Sequence, residues 1–81
     1  MLENSIKIEK NEVTIFFDTR LYPPFAILKA SENFTENFWL VVDGNNQDKM
    51  FVKIRSKDKK NEDMKLVSLE FYNFVISMIR G

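Results

Sequence analysis

Hydrophobic and polar residues alternate along the first part of the chain. Apolar residues alternate with charged ones over 6–9, and the alternation resumes over 13–18 after Lys10-Asn11. A period of two is typical of a half-buried β-strand, whose successive side chains point to opposite faces of a sheet. The pattern predicts either a hairpin that turns at Lys10-Asn11 or one long bent strand. The hairpin is favoured, although Lys-Asn is a weaker turn pair than Asn-Gly.

A second hairpin is predicted in the middle of the chain. The run from Phe38 to Asp43 is rich in β-branched and aromatic residues, which favour strands. Asp43-Gly44-Asn45-Asn46 has the composition of a turn, and the alternation returns from Met50 to Ser56. This is the clearest hairpin in the sequence.

Two other segments place their apolar residues at helical spacing. The first predicted helix runs from about Pro24 to Asn37, since proline is tolerated in the first turn of a helix. The second runs from Asn61 or Glu62 to Arg80 and is closed by Gly81, with Asn61 as the candidate N-cap. The apolar face of the first helix is made of Ala26, Ile27, Ala30 and Phe34.

These elements follow one another in the order ββαββα. That order predicts an α+β fold in which two helices pack on an antiparallel sheet of three to four strands. A chain of 81 residues has room for one hydrophobic core, so we expect a single α+β domain over residues 1–81. The sheet residues expected to face the helices are Val13, Ile15, Phe17, Leu40, Val42, Val52 and Ile54.

The opposite face of the predicted sheet is also apolar. More large apolar side chains fall there than a solvated face tolerates easily. We expect either a dimer seam or curled sheet, or a surface for a ligand or peptide with Trp39 as its anchor. The candidate partner-binding residues on this face are Phe16, Trp39, Val41, Phe51, Lys53 and Arg55.

The last predicted helix has an apolar arc about twice as wide as packing on one sheet requires. One flank, which includes Phe71 and Phe74, is expected to belong to the core. The adjacent flank is covered either by the first helix or by a second copy of the chain in a symmetric homodimer. The candidate dimer-interface residues on that flank are Leu69, Tyr72, Ile76 and Ile79.

The side-chain inventory limits the available chemistry. The sequence contains no histidine and no cysteine, which removes the usual general base, the commonest metal ligand and the best nucleophile. Aspartates such as Asp18 and Asp43 lie in or beside predicted turns, where such residues cap backbone groups more often than they form acid–base pairs. We therefore expect a non-enzymatic protein with no catalytic residue, no metal site and no cofactor.

Charge narrows the choice of partners. Lys plus Arg and Asp plus Glu number 12 each, so no long-range field attracts polyanions or anionic membranes. Nucleic-acid binding would need a local patch, built from the outer aromatic residues with Lys53, Arg55 and the basic loop 55–60. It is the alternative to protein binding. The absence of a long apolar run and of cysteine leads us to expect a cytoplasmic protein with no membrane contact.

Three stretches of the sequence form a pattern that spans most of the chain. They are Phe17-Asp18-Thr19-Arg20-Leu21-Tyr22-Pro23 leading into Ala26-Ile27-Leu28-Lys29-Ala30, Phe34-Thr35 followed by Phe38 to Asp43, and Leu69-Glu70-Phe71-Tyr72-Asn73-Phe74 ending in Ile79-Arg80. In this pattern the chain resembles the HxsD family, small accessory proteins of the His-Xaa-Ser radical-SAM peptide maturation systems. The resemblance implies a non-catalytic partner that binds the peptide or the maturation enzyme, with the iron–sulfur chemistry residing elsewhere.

Overall fold

The strands and helices follow the predicted order ββαββα. The computed structural model describes residues 6–44, 48–57 and 63–80. The elements are β1 (Ile6–Glu9), β2 (Glu12–Asp18), α1 (Pro24–Glu32), β3 (Phe38–Gly44), β4 (Lys49–Ser56) and α2 (Met64–Arg80). These strands form one antiparallel sheet in the spatial order β1-β2-β4-β3, which confirms the α+β fold.

Both predicted hairpins form. β1 pairs with β2 on either side of Lys10-Asn11, with Ile8 opposite Val13. β3 pairs with β4, while Asn45 and Asn46 of the predicted turn lie outside the described residues. Because β2 pairs with β4, these two strands are central in the sheet, and β1 and β3 are its edges.

The core lies between one face of the sheet and the two helices. α2 packs across β1 and β2, and α1 packs beside α2. Phe17 of β2 contacts both helical segments. Its ring centre lies 6.0 Å from that of Phe71 in α2 and 5.2 Å from that of Tyr22, just before α1. Leu40 and Val42, on the edge strand, are only half buried. The other residues predicted to face the helices are buried: Val13, Ile15, Phe17, Val52 and Ile54.

α1 ends at Glu32 rather than at the predicted Asn37. The N–H group of Phe34 donates to the carbonyl oxygen of Ser31, three residues back, which tightens the chain out of α-helical geometry. The hydroxyl of Thr35 donates to the carbonyl oxygen of Glu32 at 3.1 Å, so a short polar side chain competes for a helix carbonyl. Phe34 nevertheless stays buried, as predicted for the apolar face of this segment.

α2 begins at Met64, and Asp63 is its N-cap. Oδ1 of Asp63 accepts hydrogen bonds from the N–H groups two and three residues farther on, at 3.1 and 3.3 Å. A carboxylate at this position also complements the positive end of the helix dipole. Asn61, the predicted cap, lies outside the described residues, as do Glu62 and Gly81.

Two aromatic residues of α2 have the opposite placements to those predicted. Tyr72, a predicted dimer-interface residue, is only 7% exposed because its ring packs 5.1 Å from that of Phe17. Phe74, predicted in the core, is 38% exposed, although its ring centre lies 5.3 Å from that of Phe34. Both predictions were wrong, because helical spacing gives the width of an apolar stripe but not the direction from which the sheet and α1 meet it.

Candidate protein-binding surface

The outer face of the sheet, on the side away from the helices, carries all the residues predicted to bind a partner. Alternate residues of a strand share one face, and the register fixes which of them are neighbours across the strands. They form three cross-strand pairs at successive levels of the sheet: Phe16 with Phe51, Lys53 with Val41, and Arg55 with Trp39. The structure therefore brings the predicted residues together on one surface.

The apolar side chains of the outer face are open to solvent. Trp39 is 62% exposed and Val41 is 54% exposed. Phe16 is also exposed, and its ring lies 6.2 Å from that of the half-buried Phe51, a favourable separation for an aromatic pair. Within the described ranges both helices contribute their buried residues to the inner face, so neither of them covers this surface.

Two basic residues near the outer face, Lys53 and Lys57, have neighbours of complementary character, whereas Arg55 is exposed. Nζ of Lys53 lies 3.8 Å from a carboxylate oxygen of Glu12. Lys57, which follows β4, donates a hydrogen bond to the carbonyl oxygen of Thr35 at 2.8 Å and lies over the ring of Trp39. The rest of the predicted basic loop, 58–60, lies outside the described residues. The described part of the surface is therefore mainly apolar, with two of its cations engaged within the protein, unlike the positive groove of a single-strand binder.

A shallow cleft of about 370 Å³ opens at one end of the outer face. Oδ1 of Asp43 accepts a hydrogen bond from the N–H group of Gly44 at 2.7 Å. A Cβ atom on Gly44 would come within 2.6 Å of the carbonyl oxygen of Lys49, so this position has no room for a side chain. The sequence indicated only a turn at Gly44, since this close approach depends on the pairing of β3 with β4. The lining residues are Phe16, Asp43, Gly44, Lys49, Met50 and Phe51.

An ion pair lies at the end of β2 beside this cleft. The guanidinium group of Arg20 donates to both carboxylate oxygens of Asp18, at 3.0 and 2.8 Å, and the backbone N–H of Arg20 donates to Oδ1 at 2.9 Å. These hydrogen bonds from Arg20 lower the pKa of the Asp18 carboxyl to about 2, and the same contact raises the pKa of Arg20. Asp18 thus stabilises the turn after β2, in agreement with the predicted role of the turn aspartates.

The flank of α2 predicted to form a dimer interface is partly open. Leu69, Ile76 and Ile79 are between 37% and 41% exposed. The chain leaving α1 contacts α2 through Phe34 and Phe74, on the opposite side of the helix. Of the two predicted covers, the first helix therefore leaves this flank open, and the dimer contact stays a prediction.

The described residues form no cluster of three or more His, Cys, Asp or Glu side chains that could hold a metal ion. Neither described helix has both the length and the apolar character needed to cross a membrane. Comparisons of the chain with protein-family models, curated proteins and solved structures give no match.

Proposed function

We propose that this chain is a non-enzymatic binding module whose outer face holds an extended segment of a partner protein. The observation that carries the proposal is the exposure of Trp39 and Val41 on a face where Phe16 also lies open. Large apolar residues that cluster on one exposed face are typical of protein–protein contact surfaces. Tryptophan is among the residues most enriched at the energetic centres of such contacts.

Apolar contact outweighs ionic contact on this surface. Burying a large apolar side chain contributes about 1.5–3 kcal/mol. An ion pair near the surface, such as that of Lys53 with Glu12, contributes about 0.2–1 kcal/mol. A partner is therefore held mainly by apolar side chains that pack on Trp39 and its neighbours, while the charges select its orientation.

Nucleic-acid binding has less support. Proteins that bind single strands combine stacking rings with a positive groove that follows the phosphates. Here Lys57 lies over the Trp39 ring and Lys53 is beside the Glu12 carboxylate, so these two cations are engaged within the protein, while Arg55 is exposed. The formal net charge of +0 adds no attraction for a polyanion.

The resemblance to the HxsD family gives this proposal a more specific form. The partner would be a radical-SAM maturation enzyme or the ribosomally made peptide that it modifies. An extended peptide suits the surface, because alternate side chains of an extended chain point to the same side and can meet successive levels of the outer face. The binding role rests on the exposed surface, and the choice of partner rests on the resemblance.

Selection from a randomised peptide library displayed on phage tests the binding role. Enriched peptides should carry apolar residues at alternate positions. Isothermal titration of these peptides then compares the wild-type protein with Trp39→Thr, which removes the ring but keeps a residue that favours strands. We expect binding to weaken by about tenfold or more, as for loss of an aromatic anchor.

Leu28→Gln is a matched control, because it removes a similarly exposed apolar side chain from α1 rather than from the sheet. Peptide affinity should be unchanged in this variant. Equal affinities of Trp39→Thr and the wild type would refute the outer face as the binding surface. Oligonucleotide binding that falls steeply with salt would instead support the nucleic-acid alternative.

A further inference from the structure

The backbone of β3 is open on one side. β3 is an edge strand, and among the described residues only β4 pairs with it. Just before β3, Asn37 is bonded to the chain that follows β4, because the N–H of Lys57 donates to its carbonyl oxygen at 3.3 Å. Backbone groups alternate in direction along an antiparallel strand. The backbone groups of the odd-numbered residues of β3 therefore bond to β4, and those of the even-numbered residues point to the open edge.

The outward N–H groups at both ends of this open edge are engaged in local hydrogen bonds. The N–H of Phe38 donates to the carbonyl oxygen of Phe34 at 3.1 Å, and the N–H of Gly44 donates to the Asp43 carboxylate. Leu40 and Val42 remain between these ends, each with an outward N–H and C=O. The open groups therefore lie symmetrically about Val41.

This arrangement is complementary to itself. We propose that two copies of the chain pair through β3, antiparallel about a two-fold axis at Val41. Leu40 then pairs with the partner's Val42, and Val42 with the partner's Leu40. Every outward N–H of these residues meets an outward carbonyl, which is the requirement for extending an antiparallel sheet.

The side chains support the same register. Val41 meets the partner's Val41 at the axis on the outer face, so two exposed apolar residues cover each other. Trp39 lies opposite the partner's Asp43, which places an indole N–H donor beside a carboxylate acceptor. On the inner face the half-buried Leu40 and Val42 gain neighbours from the other copy.

The other edge of the sheet is protected against the same pairing. The N–H of Ser56 donates to the carbonyl oxygen of Asn11, so the odd-numbered residues of β2 bond to β4 and the even-numbered ones bond to β1. The backbone N–H and C=O groups that point away from β2 then belong to Ile6 and Ile8, which lie symmetrically about Lys7. A two-fold axis there would set Lys7 against the partner's Lys7, and like charges directly opposite each other are destabilising.

Pairing through β3 would join two four-stranded sheets into one continuous sheet with helices on a single side. The two outer faces become one surface, and each Trp39 gains the partner's Asp43 as a neighbour. The dimer shares Trp39 and Val41 with the proposed binding surface, but its tests use the protein without any peptide, so the failure of either proposal leaves the other standing.

A single introduced cysteine tests the axis, since the chain has none of its own. At the axis the two Val41 residues form a pair that is not hydrogen-bonded, with Cα atoms about 4.5 Å apart. That separation lies within the range of disulfides. Val41→Cys should therefore form a covalent dimer rapidly under mild oxidation, as measured on non-reducing gels without any peptide present.

Lys53→Cys is the matched control on the neighbouring strand. Two such residues would be about 14 Å apart across three strand spacings, beyond the reach of a disulfide. Cross-linking of Val41→Cys that is no faster than that of Lys53→Cys would overturn the proposal. A wild-type protein that sediments as a monomer at every concentration would overturn it as well.

Proline at position 42 provides a second test that does not need cross-linking. Val42→Pro removes an outward N–H, and proline is tolerated on an edge strand when its nitrogen faces away from the sheet. Val42→Ala loses the same side-chain packing but keeps the N–H. Sedimentation should show a folded monomer for Val42→Pro and a dimer for Val42→Ala. If both variants sediment as dimers, the interface does not involve the edge of β3. If only the double variant Leu69→Glu with Ile76→Glu is a monomer, the interface lies on the flank of α2 instead.

Discussion

Nζ of Lys57 lies 4.6 Å from the centre of the Trp39 ring and donates a hydrogen bond to the carbonyl oxygen of Thr35. One lysine thus joins the chain after β4 to the segment between α1 and β3. It also lies over the most exposed aromatic side chain of the outer face. A cation over an exposed ring contributes about 0.5–1 kcal/mol.

Replacing Lys57 should lower the stability of the fold and expose one face of the Trp39 indole ring. Lys57→Met keeps an unbranched apolar chain but removes the charge and the hydrogen bond, so we expect the free energy of unfolding to fall by about 1 kcal/mol. Urea unfolding measures the loss. Lys7→Met on β1 is the control, and an equal loss in both variants would show that the contact with Trp39 has no stabilising effect.

The ion pair between Asp18 and Arg20 gives a prediction about pH. The folded-state pKa of Asp18, about 2, lies below its ordinary value of 3.8. The contribution of this carboxylate to stability is therefore full above about pH 4 and is lost as the pH falls towards the folded-state pKa. An NMR titration of the Asp18 carboxyl should show a midpoint near 2 in the wild type and a higher midpoint in Arg20→Gln. A midpoint that does not move in the variant would contradict the assigned cause.

Phe71 and Phe74 allow a matched comparison on α2. Phe71 is fully buried against Phe17 and Phe34, whereas Phe74 is partly exposed. Phe71→Ala should cost about 3–5 kcal/mol, which is comparable to the whole stability of a small domain. Circular dichroism should therefore show cooperative unfolding for Phe74→Ala and little folded structure for Phe71→Ala. Similar stabilities in the two variants would contradict the described core.

A charge-swap pair tests the register of the proposed dimer. Lys or Glu at position 41 would face the same charge across the two-fold axis, so Val41→Lys and Val41→Glu should each be monomeric. A mixture of the two variants should form a heterodimer, because opposite charges then meet at the axis. Light scattering of the separate and mixed samples measures this. Failure of the mixture to associate would contradict an axis at Val41.

The sheet was predictable from the sequence because its signal is local. Alternation with a period of two placed Ile15 and Phe17 on the inner face and Phe16 on the outer face, and the structure confirms those placements. The same alternation groups Trp39 with Phe51 on one surface and needs no knowledge of the strand order. The cross-strand register is given by the structure and lies beyond this local signal.

The features missed by sequence reasoning depend on contacts between distant segments. Tyr72 and Phe74 lie on opposite borders of the α2 stripe, and which of them is buried depends on where Phe17 and Phe34 meet the helix. The open edge of β3 follows from the strand order β1-β2-β4-β3, which no local pattern contains. The early end of α1 has a local cause instead, since the hydroxyl of Thr35 bonds to the carbonyl oxygen of Glu32, and the spacing of apolar residues that predicted the longer helix does not register such a bond.

The most direct test of the outer face as a binding surface uses Trp39, the only tryptophan in the chain, as its own probe. A peptide selected on the protein is added while the emission of Trp39 and its quenching by acrylamide are recorded. If the peptide packs on the outer face, the emission should shift to shorter wavelength and the quenching should fall in step with binding measured by calorimetry. Saturable binding by calorimetry that leaves both Trp39 signals unchanged would contradict the proposed function.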